Sequence, residues 1–247
     1  MLKKIKKIAP DNFELETNTV WSFPSRGDWA THNAKYRGNW SPYIPRNIIL
    51  RYSQEHDTVL DMFVGSGTTL IETKLLKRYG IGIDINPESL SIAQNNIDFE
   101  FEDDLPQRLI LGNAANMNFI KDDSIDLICT HPPYANIIKY SDNIEGDLSH
   151  LTVPNFIKEM KKIANECYRV LKKGKYCAIL MGDTRQKGCM IPMSFDIMKN
   201  FQESGFTLKE LIIKEQHNCK ATGFWKTNSI KYNFLLIAHE YLFVLKK

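Results

Sequence analysis

A glycine-rich turn between an apolar strand and a helix constrains the fold of this chain more than any other feature. Residues 58–69 read Thr-Val-Leu-Asp-Met-Phe-Val-Gly-Ser-Gly-Thr-Thr. Gly65 and Gly67 lack the Cβ atoms that would keep a ligand from the backbone, and they tolerate unusual dihedral angles. Open α/β sheets bind ligands at the carboxyl ends of their strands, which is where this turn would lie. The pattern therefore predicts a polar-ligand site on an α/β sheet.

From about residue 57 onward, short apolar runs alternate with longer amphipathic stretches, a pattern typical of a doubly wound sheet. Strands are predicted over 58–63, 80–84, 125–130, 176–182, 207–215 and 233–245. Helices are predicted over 45–54, 68–77, 87–99, 153–170 and 192–204. A polar loop without helical periodicity separates the last two strands, so these strands are predicted to pair antiparallel and close the sheet.

The 247 residues, of which 43% are hydrophobic, are enough for a single large α/β domain. We predict a single domain over 1–247, with an N-terminal arm at 1–44 and an α/β core at 45–247. The arm is rich in aromatic residues and lacks periodicity, so it covers the domain or forms part of a ligand surface. No apolar run approaches the roughly 20 residues that cross a bilayer, and no cleavage site follows the basic first residues. We expect a cytoplasmic protein without membrane contact.

The five cysteines are odd in number, scattered, and never arranged as C-x-x-C. Neither a zinc site, nor any other metal site, nor a disulfide framework is expected, which fits a reducing compartment. The cysteines are Cys129, Cys167, Cys177, Cys189 and Cys219. A net charge of +3 is compatible with nucleic-acid binding but does not require it.

A carboxylate ends the strand that follows the glycine turn. Asp84 closes Gly-Ile-Gly-Ile-Asp, and a carboxylate in that place can accept both hydroxyl protons of a ribose. The turn departs from the G-x-G-x-x-G spacing of dinucleotide sites, because Leu70 occupies the last glycine's place. The Gly-Lys-Ser/Thr of a phosphate-binding loop is also missing. The turn and Asp84 together predict a site for a ligand that carries a ribose, and a nicotinamide dinucleotide stays open despite the different glycine spacing.

Residues 61–69 resemble motif I of the amino-methylating DNA methyltransferases, usually D-P-F-x-G-S-G-T-T, with Met62 in place of the proline. The resemblance implies a Rossmann-like class I methyltransferase with a mostly parallel seven-stranded sheet and an antiparallel C-terminal hairpin. It implies S-adenosyl-L-methionine as the cofactor and Asp84 as its ribose ligand. It also implies that the methionine end of the cofactor is lined by Asp61, Phe63, Gly65 and Gly67, and that Thr68 is a further cofactor-binding residue.

Two further cofactor contacts follow from the same resemblance. Asn113 lies where the family often has an acidic residue near the adenine amine, and its side-chain oxygen can accept that hydrogen bond. Residues 36–45 resemble motif X, which implies that Tyr43 contacts the carboxylate end of the cofactor. The same segment is also interpretable as a proline-rich helix entry, since Pro45 suits the first turn of a helix.

The strand Ile125–Thr130 runs into His131-Pro132-Pro133-Tyr134. Consecutive prolines stiffen a turn and leave carbonyl groups without regular partners, and the tyrosine ring offers a stacking surface. The turn resembles motif IV of the same family, with His131 in place of the usual Asp, Asn or Ser. The resemblance implies that these four residues are catalytic. It also implies direct methyl transfer to the exocyclic amine of a base flipped out of the duplex.

Histidine at position 131 makes a pH dependence part of the prediction. A neutral imidazole accepts a hydrogen bond but an imidazolium does not, so activity should weaken as His131 is protonated. The resemblance of Thr-x-Pro-Pro-Tyr to the serine-type turns favours N4 of cytosine as the target, with N6 of adenine as the alternative. Methylation at C5 of cytosine is excluded by the absence of Pro-Cys.

Three polar segments are candidates for DNA contact, and no long insertion is present for a separate recognition domain. They are 138–149, 183–188 and 216–226. Double-stranded DNA is the expected partner, with a cognate restriction endonuclease of a restriction–modification system or a second copy of the chain as further partners. RNA or protein-amide methylation, and a catalytically inactive DNA-binding subunit, remain open alternatives.

Overall fold

The computed structural model describes residues 3–103, 105–134, 144–217 and 222–247. The described strands are β1 Val20–Trp21, β2 Thr58–Asp61, β3 Tyr79–Asp84, β4 Gln107–Leu111, β5 Ile125–Thr130, β6 Leu171–Met181, β7 Thr184–Gln186, β8 Cys189–Ile191, β9 Thr207–Glu215 and β10 His239–Lys246. The helices are α1 Tyr43–Tyr52, α2 Thr68–Leu75, α3 Pro87–Ile97, α4 Val153–Val170, α5 Met193–Glu203 and α6 Thr222–Lys231. A short 3-10 turn spans Leu148–His150.

Eight strands form the main sheet, in the order β1-β9-β10-β6-β5-β2-β3-β4. Strands β6, β5, β2, β3 and β4 are successively parallel, whereas β10 is antiparallel to both β6 and β9. The predicted Rossmann-like class, with its antiparallel C-terminal pair, is confirmed. The short β1 of the arm adds an eighth strand by pairing parallel to β9. Strands β7 and β8 form a separate hairpin.

Strands β1, β7 and β8 were not predicted, and β6 begins five residues earlier than predicted. Three further elements differ from the sequence prediction. Strand β4 was not predicted, since its apolar run has only three residues, Leu109 to Leu111, and all five residues of the strand are partly buried or exposed. Helix α6 lies in the predicted loop, where exposed Phe224, Trp225 and Ile230 give no one-sided apolar stripe. Strand β10 begins at His239 instead of 233, and Asn233 takes a left-handed conformation (φ 51°) that ends the preceding helical turn.

Strand β5 is central and buried at all six positions, as expected for a parallel strand covered on both faces. Its alternate residues enter different cores: Ile128 packs in the cluster that includes Phe156 of α4, and Leu127 in the cluster that includes Ile48 of α1. This layering places the carboxyl ends of β2, β3 and β5 at one edge of the sheet.

The arm is anchored through a buried carboxylate of α2. Glu72 Oε1 accepts a hydrogen bond from Trp29 Nε1 at 2.7 Å and lies 2.7 Å from His32 Nε2. Its Oε2 pairs with Arg46 at 2.8 Å. Since an unpaired buried carboxylate is costly, these partners fix the arm against α1 and α2. Among the described helices, none is both long and apolar enough to cross a bilayer.

Candidate active site

Two clefts meet at the carboxyl edge of the parallel strands. The first encloses about 840 Å³ of open space and reaches the glycine turn, Asp84 and Asn113. The second, with about 1470 Å³ that is open to solvent, is walled by Tyr134, Gly182 and Glu240. His131 and Trp40 line both clefts, so the sequence-predicted catalytic turn lies at their junction.

The glycine turn adopts the strained conformations that its sequence predicts. Gly65 and Gly67 have φ values of 49° and 84°, and Gly67 is the N-cap of α2. A Cβ on Gly65 would lie 3.3 Å from the ring of Tyr36, which also lines the first cleft. The turn therefore leaves a narrow approach to the backbone between β2 and the arm.

Asp84 ends β3 and holds the glycine turn in place. Its carboxylate accepts the backbone N–H of Gly65 and of Asn86, each at 2.9 Å. Burial raises the pKa of Asp84, although these two N–H donors favour the ionised form. Each carboxylate oxygen has a second lone pair, so the group can still accept hydrogen bonds from a ligand's hydroxyls.

Asp61 is the second carboxylate of the first cleft and is almost fully buried. It accepts hydrogen bonds from the hydroxyls of Thr69 and Thr130 and from the N–H of Phe63. Burial raises its pKa to about 6, against the opposing effect of these donors. The group therefore titrates close to neutral pH.

The structure brings most of the predicted cofactor residues together. Those that line the first cleft are Asp61, Phe63, Gly65, Thr68, Asp84 and Asn113. Asn113 Oδ1 accepts the N–H of Ala115 at 2.9 Å, so this oxygen also closes a local turn. Gly67 and Tyr43 are not among the lining residues: Gly67 begins α2, and Tyr43 stacks on Phe23 with ring centroids 5.2 Å apart.

Other lining residues were not named as cofactor contacts from the sequence. Tyr36 and Trp40 come from the aperiodic arm, and Tyr36 hydrogen-bonds Ser89 of α3 at 2.9 Å. Asp147 and Asn86 complete the wall of the first cleft. The motif X resemblance pointed to this part of the arm, but the side chains that reach the cleft are Tyr36 and Trp40 rather than Tyr43.

A hydrogen-bonded chain of four side chains crosses the second cleft. His131 Nε2 lies 2.8 Å from the hydroxyl of Tyr134, which donates to Glu240 Oε1 at 2.7 Å. Glu240 Oε2 pairs with Lys214 at 2.9 Å. A Cβ on Gly182 would lie 2.9 Å from Cε2 of Tyr134, so only glycine lets the tyrosine ring take this position.

His131 is packed between the arm and this chain. Its ring stacks on Trp40, with centroids 5.6 Å apart and 23° between the planes. Burial lowers its pKa to about 4; Glu240 opposes that effect, and the positive charges of Lys214 and Arg26 add to it. The imidazole is therefore neutral at pH 7, and the acid loss of activity expected from its protonation moves from the ordinary histidine range to near pH 4.

The predicted DNA-contact segments are partly described. Residues 138–143 and 218–221 lie outside the described residues. In the hairpin β7–β8, Arg185 is tied to the protein by donating to the carbonyls of Gly188 and Leu235. Helix α6 and the residues after it expose several large apolar side chains: Phe224, Trp225, Ile230, Tyr232 and Leu235.

Comparison with protein families gives a match that covers most of the chain. The model for the N6/N4 family described as DNA methylase matches residues 2–95 and 125–247. The Type II methyltransferase M.HpaI of Haemophilus parainfluenzae is 40% identical over 95 residues, which are 37% of this chain and 30% of that protein. M.MjaI of Methanocaldococcus jannaschii is 26% identical over 167 residues, or 57% of this chain and 55% of that protein. The chain spans about a third to a half of these relatives.

Solved structures share the fold at low sequence identity. A SAM-dependent methyltransferase of Methanosarcina mazei superimposes with a TM-score of 0.56 at 18% identity, covering 81% of this chain and 96% of its own. TrmN of Thermus thermophilus gives 0.58 at 17% identity, covering 85% and 50%. These likenesses show the Rossmann-like methyltransferase fold.

Proposed function

This chain belongs to the N6/N4 DNA methylase family, and we propose on that premise that it methylates the exocyclic amine of a base in double-stranded DNA. One observation carries the proposal. His131 lies where a cleft with the features of a nucleoside site meets a second cleft walled by an aromatic ring. A methyl donor and an acceptor base in these two clefts would meet at His131.

Family membership makes S-adenosyl-L-methionine the cofactor, and the residues of the first cleft fit it. The cleft is lined by polar and apolar groups of the glycine turn, the end of β3 and the arm, which suits a ligand with both a charged and an aromatic part. Asp84 offers acceptors for a ribose diol, and Asp61 offers a negative charge for a cationic methionine end. Gly65 gives close backbone approach at a φ of 49°. Asn113 and Thr68 are the remaining proposed contacts from this wall.

When bound, S-adenosylmethionine supplies an electrophilic methyl group on a sulfonium sulfur. The protein's own part is to orient the amine, whose lone pair is delocalised into the base. The neutral His131 and the carbonyl of Pro132, both at the wall of the second cleft, are proposed to accept its hydrogen bonds, and Pro133 to stiffen the turn. With a pKa of about 4, His131 suits an acceptor better than a general base. Tyr134 is proposed as the surface on which the flipped base stacks.

We favour N4 of cytosine over N6 of adenine, on the likeness of Thr130-His131-Pro132-Pro133-Tyr134 to the serine-type turns. DNA would cover the second cleft, and the exposed lysines and aromatic rings of α6 are proposed as a further DNA-contacting surface. A role in a restriction–modification system, with a cognate endonuclease or a second copy as partner, belongs to the same proposal.

The test is long-read methylation sequencing of DNA from cells that express the chain, beside a His131→Ala, Tyr134→Ala variant. A modified motif that is absent with the variant supports the proposal, and the modified base decides between cytosine and adenine. Labelled methyl transfer to DNA, RNA and protein is run in parallel. Soluble protein that binds S-adenosylmethionine but labels only RNA or protein, or nothing, would contradict methylation of DNA.

A further inference from the structure

Glu240 lies beside the catalytic turn although it follows that turn by more than a hundred residues. Strand β10 is antiparallel to β6, so its amino end lies at the edge where the parallel strands end. Glu240 is the second residue of β10 and pairs in register with Lys214 of β9. The sheet topology thus brings a buried carboxylate and a lysine to the wall of the second cleft.

The charge state of Glu240 fixes the direction of its hydrogen bond. Burial disfavours the carboxylate, but the charge of Lys214, the proximity of His131 and the hydroxyl of Tyr134 hold the pKa of Glu240 below its usual value. An ionised carboxylate only accepts hydrogen bonds. The hydroxyl of Tyr134 must therefore donate to Glu240 across the 2.7 Å contact.

The single hydroxyl proton of Tyr134 then decides the state of His131. Because that proton is directed at Glu240, the tyrosine oxygen acts as an acceptor across the 2.8 Å contact to His131 Nε2. In neutral histidine one ring nitrogen carries the proton and the other accepts. Nε2 is thus the protonated nitrogen, and Nδ1 has no hydrogen-bond partner among the described residues.

We propose that Glu240 is a positioning residue that acts through Tyr134 to hold His131 as the Nε2-protonated tautomer, which leaves Nδ1 as the acceptor for the substrate amine. This inference rests on the proposed function. It explains why a histidine can stand where the family has Asp, Asn or Ser. Those side chains offer an acceptor oxygen in any state, whereas an imidazole offers one only in the correct tautomer.

Glu240→Gln is the informative substitution, because it keeps the shape of the side chain. Lys214 only donates hydrogen bonds, so it should hold the amide oxygen of the new side chain. The amide N–H₂ then faces Tyr134 and donates to it, and the tyrosine proton turns toward His131 Nε2. The imidazole proton then moves to Nδ1. The Nδ1–H donor would face the N–H donors of the substrate amine and could not accept a hydrogen bond from them. We expect kcat to fall roughly 10- to 100-fold with unchanged cofactor affinity, the scale of losing a group that orients a histidine.

The direct measurement is nitrogen NMR of the full chain with ¹⁵N-labelled histidine at pH 7, with His131 assigned by the signal lost in His131→Asn. Wild type should show protonated Nε2, and Glu240→Gln protonated Nδ1. Tyr134→Phe, which leaves the Glu240–Lys214 pair intact, should give a mixture of the two His131 tautomers. This variant provides the test if Glu240→Gln does not fold. Protonated Nδ1 in wild type, or an unchanged tautomer in both variants, would overturn the inference.

Kinetics separate positioning from a structural role. In a His131→Asn background the acceptor is an amide oxygen, so adding Glu240→Gln should change kcat less than about 3-fold. An equal loss of kcat in both backgrounds would contradict the inference. The matched control is Glu210→Gln, which changes a partly exposed carboxylate on β9. If wild type methylates no DNA, the proposed function fails, while the NMR result still decides the tautomer.

Discussion

The two clefts differ in how far apart in the chain their residues lie. In the first, Asp61 bonds Thr69 eight residues away, and Asp84 bonds Gly65 nineteen residues away. In the second, Tyr134 bonds Glu240 across 106 residues. The hydrogen bonds of the glycine turn therefore form a local motif that can be recognised from sequence, although the wall of the first cleft also includes Tyr36 and Trp40 of the arm. The second cleft exists only once the sheet is assembled. Its function should accordingly be more sensitive to remote substitutions.

The largest expected effect tests whether His131, at the junction of the two clefts, serves methyl transfer and not cofactor binding. His131→Ala removes the proposed acceptor, and we expect kcat to fall about 10²- to 10³-fold, as for loss of one oriented hydrogen-bonding group. S-adenosylmethionine affinity, measured by calorimetry, should stay within about 3-fold. His131→Asn is the matched control and should recover activity, because it restores an acceptor. Equal losses of kcat in both variants would contradict the acceptor role of His131, and a large loss of cofactor affinity in both would break the division between the clefts.

The converse variant perturbs only the first cleft. Asp84→Ala removes a carboxylate proposed to hold the ribose, and the cofactor Kd should rise roughly 10- to 100-fold, since hydrogen bonds to charged groups contribute about 1.5–3 kcal/mol. At saturating cofactor, kcat should change little. Exposed Asp196→Ala in the first turn of α5 is the control. An unchanged Kd for Asp84→Ala would remove Asp84 from the cofactor site.

A change of pH should affect cofactor binding in the first cleft and methyl transfer at His131 differently, with a smaller effect than the substitutions. The pKa of Asp61 is about 6, so cofactor affinity should fall as pH drops through 6 and this charge is lost, by at most about tenfold at pH 5. The pKa of His131 is about 4, so single-turnover transfer at saturating cofactor should persist down to pH 5. Asp61→Asn should remove the affinity change. A loss of turnover near pH 6.5 at saturating cofactor would contradict the neutral, buried state of His131.

The smallest expected effect concerns the exposed surface of α6, which is proposed to contact DNA. Lys226 on α6 is exposed, and if it contacts a phosphate, Lys226→Ala should lower the slope of log K against log salt by about 1 for every DNA sequence. Lys162 on α4, which is also exposed, provides the control. The measurement is DNA binding by fluorescence anisotropy over a range of salt concentrations. Equal slopes for wild type and Lys226→Ala would place DNA elsewhere.

Strongly periodic elements were predicted to the residue. Strands β5 and β9 and helix α4 have the predicted bounds, because short runs rich in apolar residues mark the two strands and a one-sided apolar stripe marks the helix. Helix α6 was missed because its aromatic residues face solvent and give no stripe. The family and the cofactor are confirmed predictions, whereas the roles of individual site residues and the single-domain division of 1–247 stay predictions.

The sequence by itself determined the parts that depend on neighbouring residues. The glycine turn, the carboxylate that ends β3 and the stiff Pro-Pro-Tyr turn are each set by local backbone chemistry. Only the tertiary structure decided which side chains face them. Trp40 meets His131 because Glu72 anchors the arm, and Glu240 meets Tyr134 because β10 runs antiparallel beside β6. Such meetings depend on strand order and packing, which no short stretch of sequence encodes.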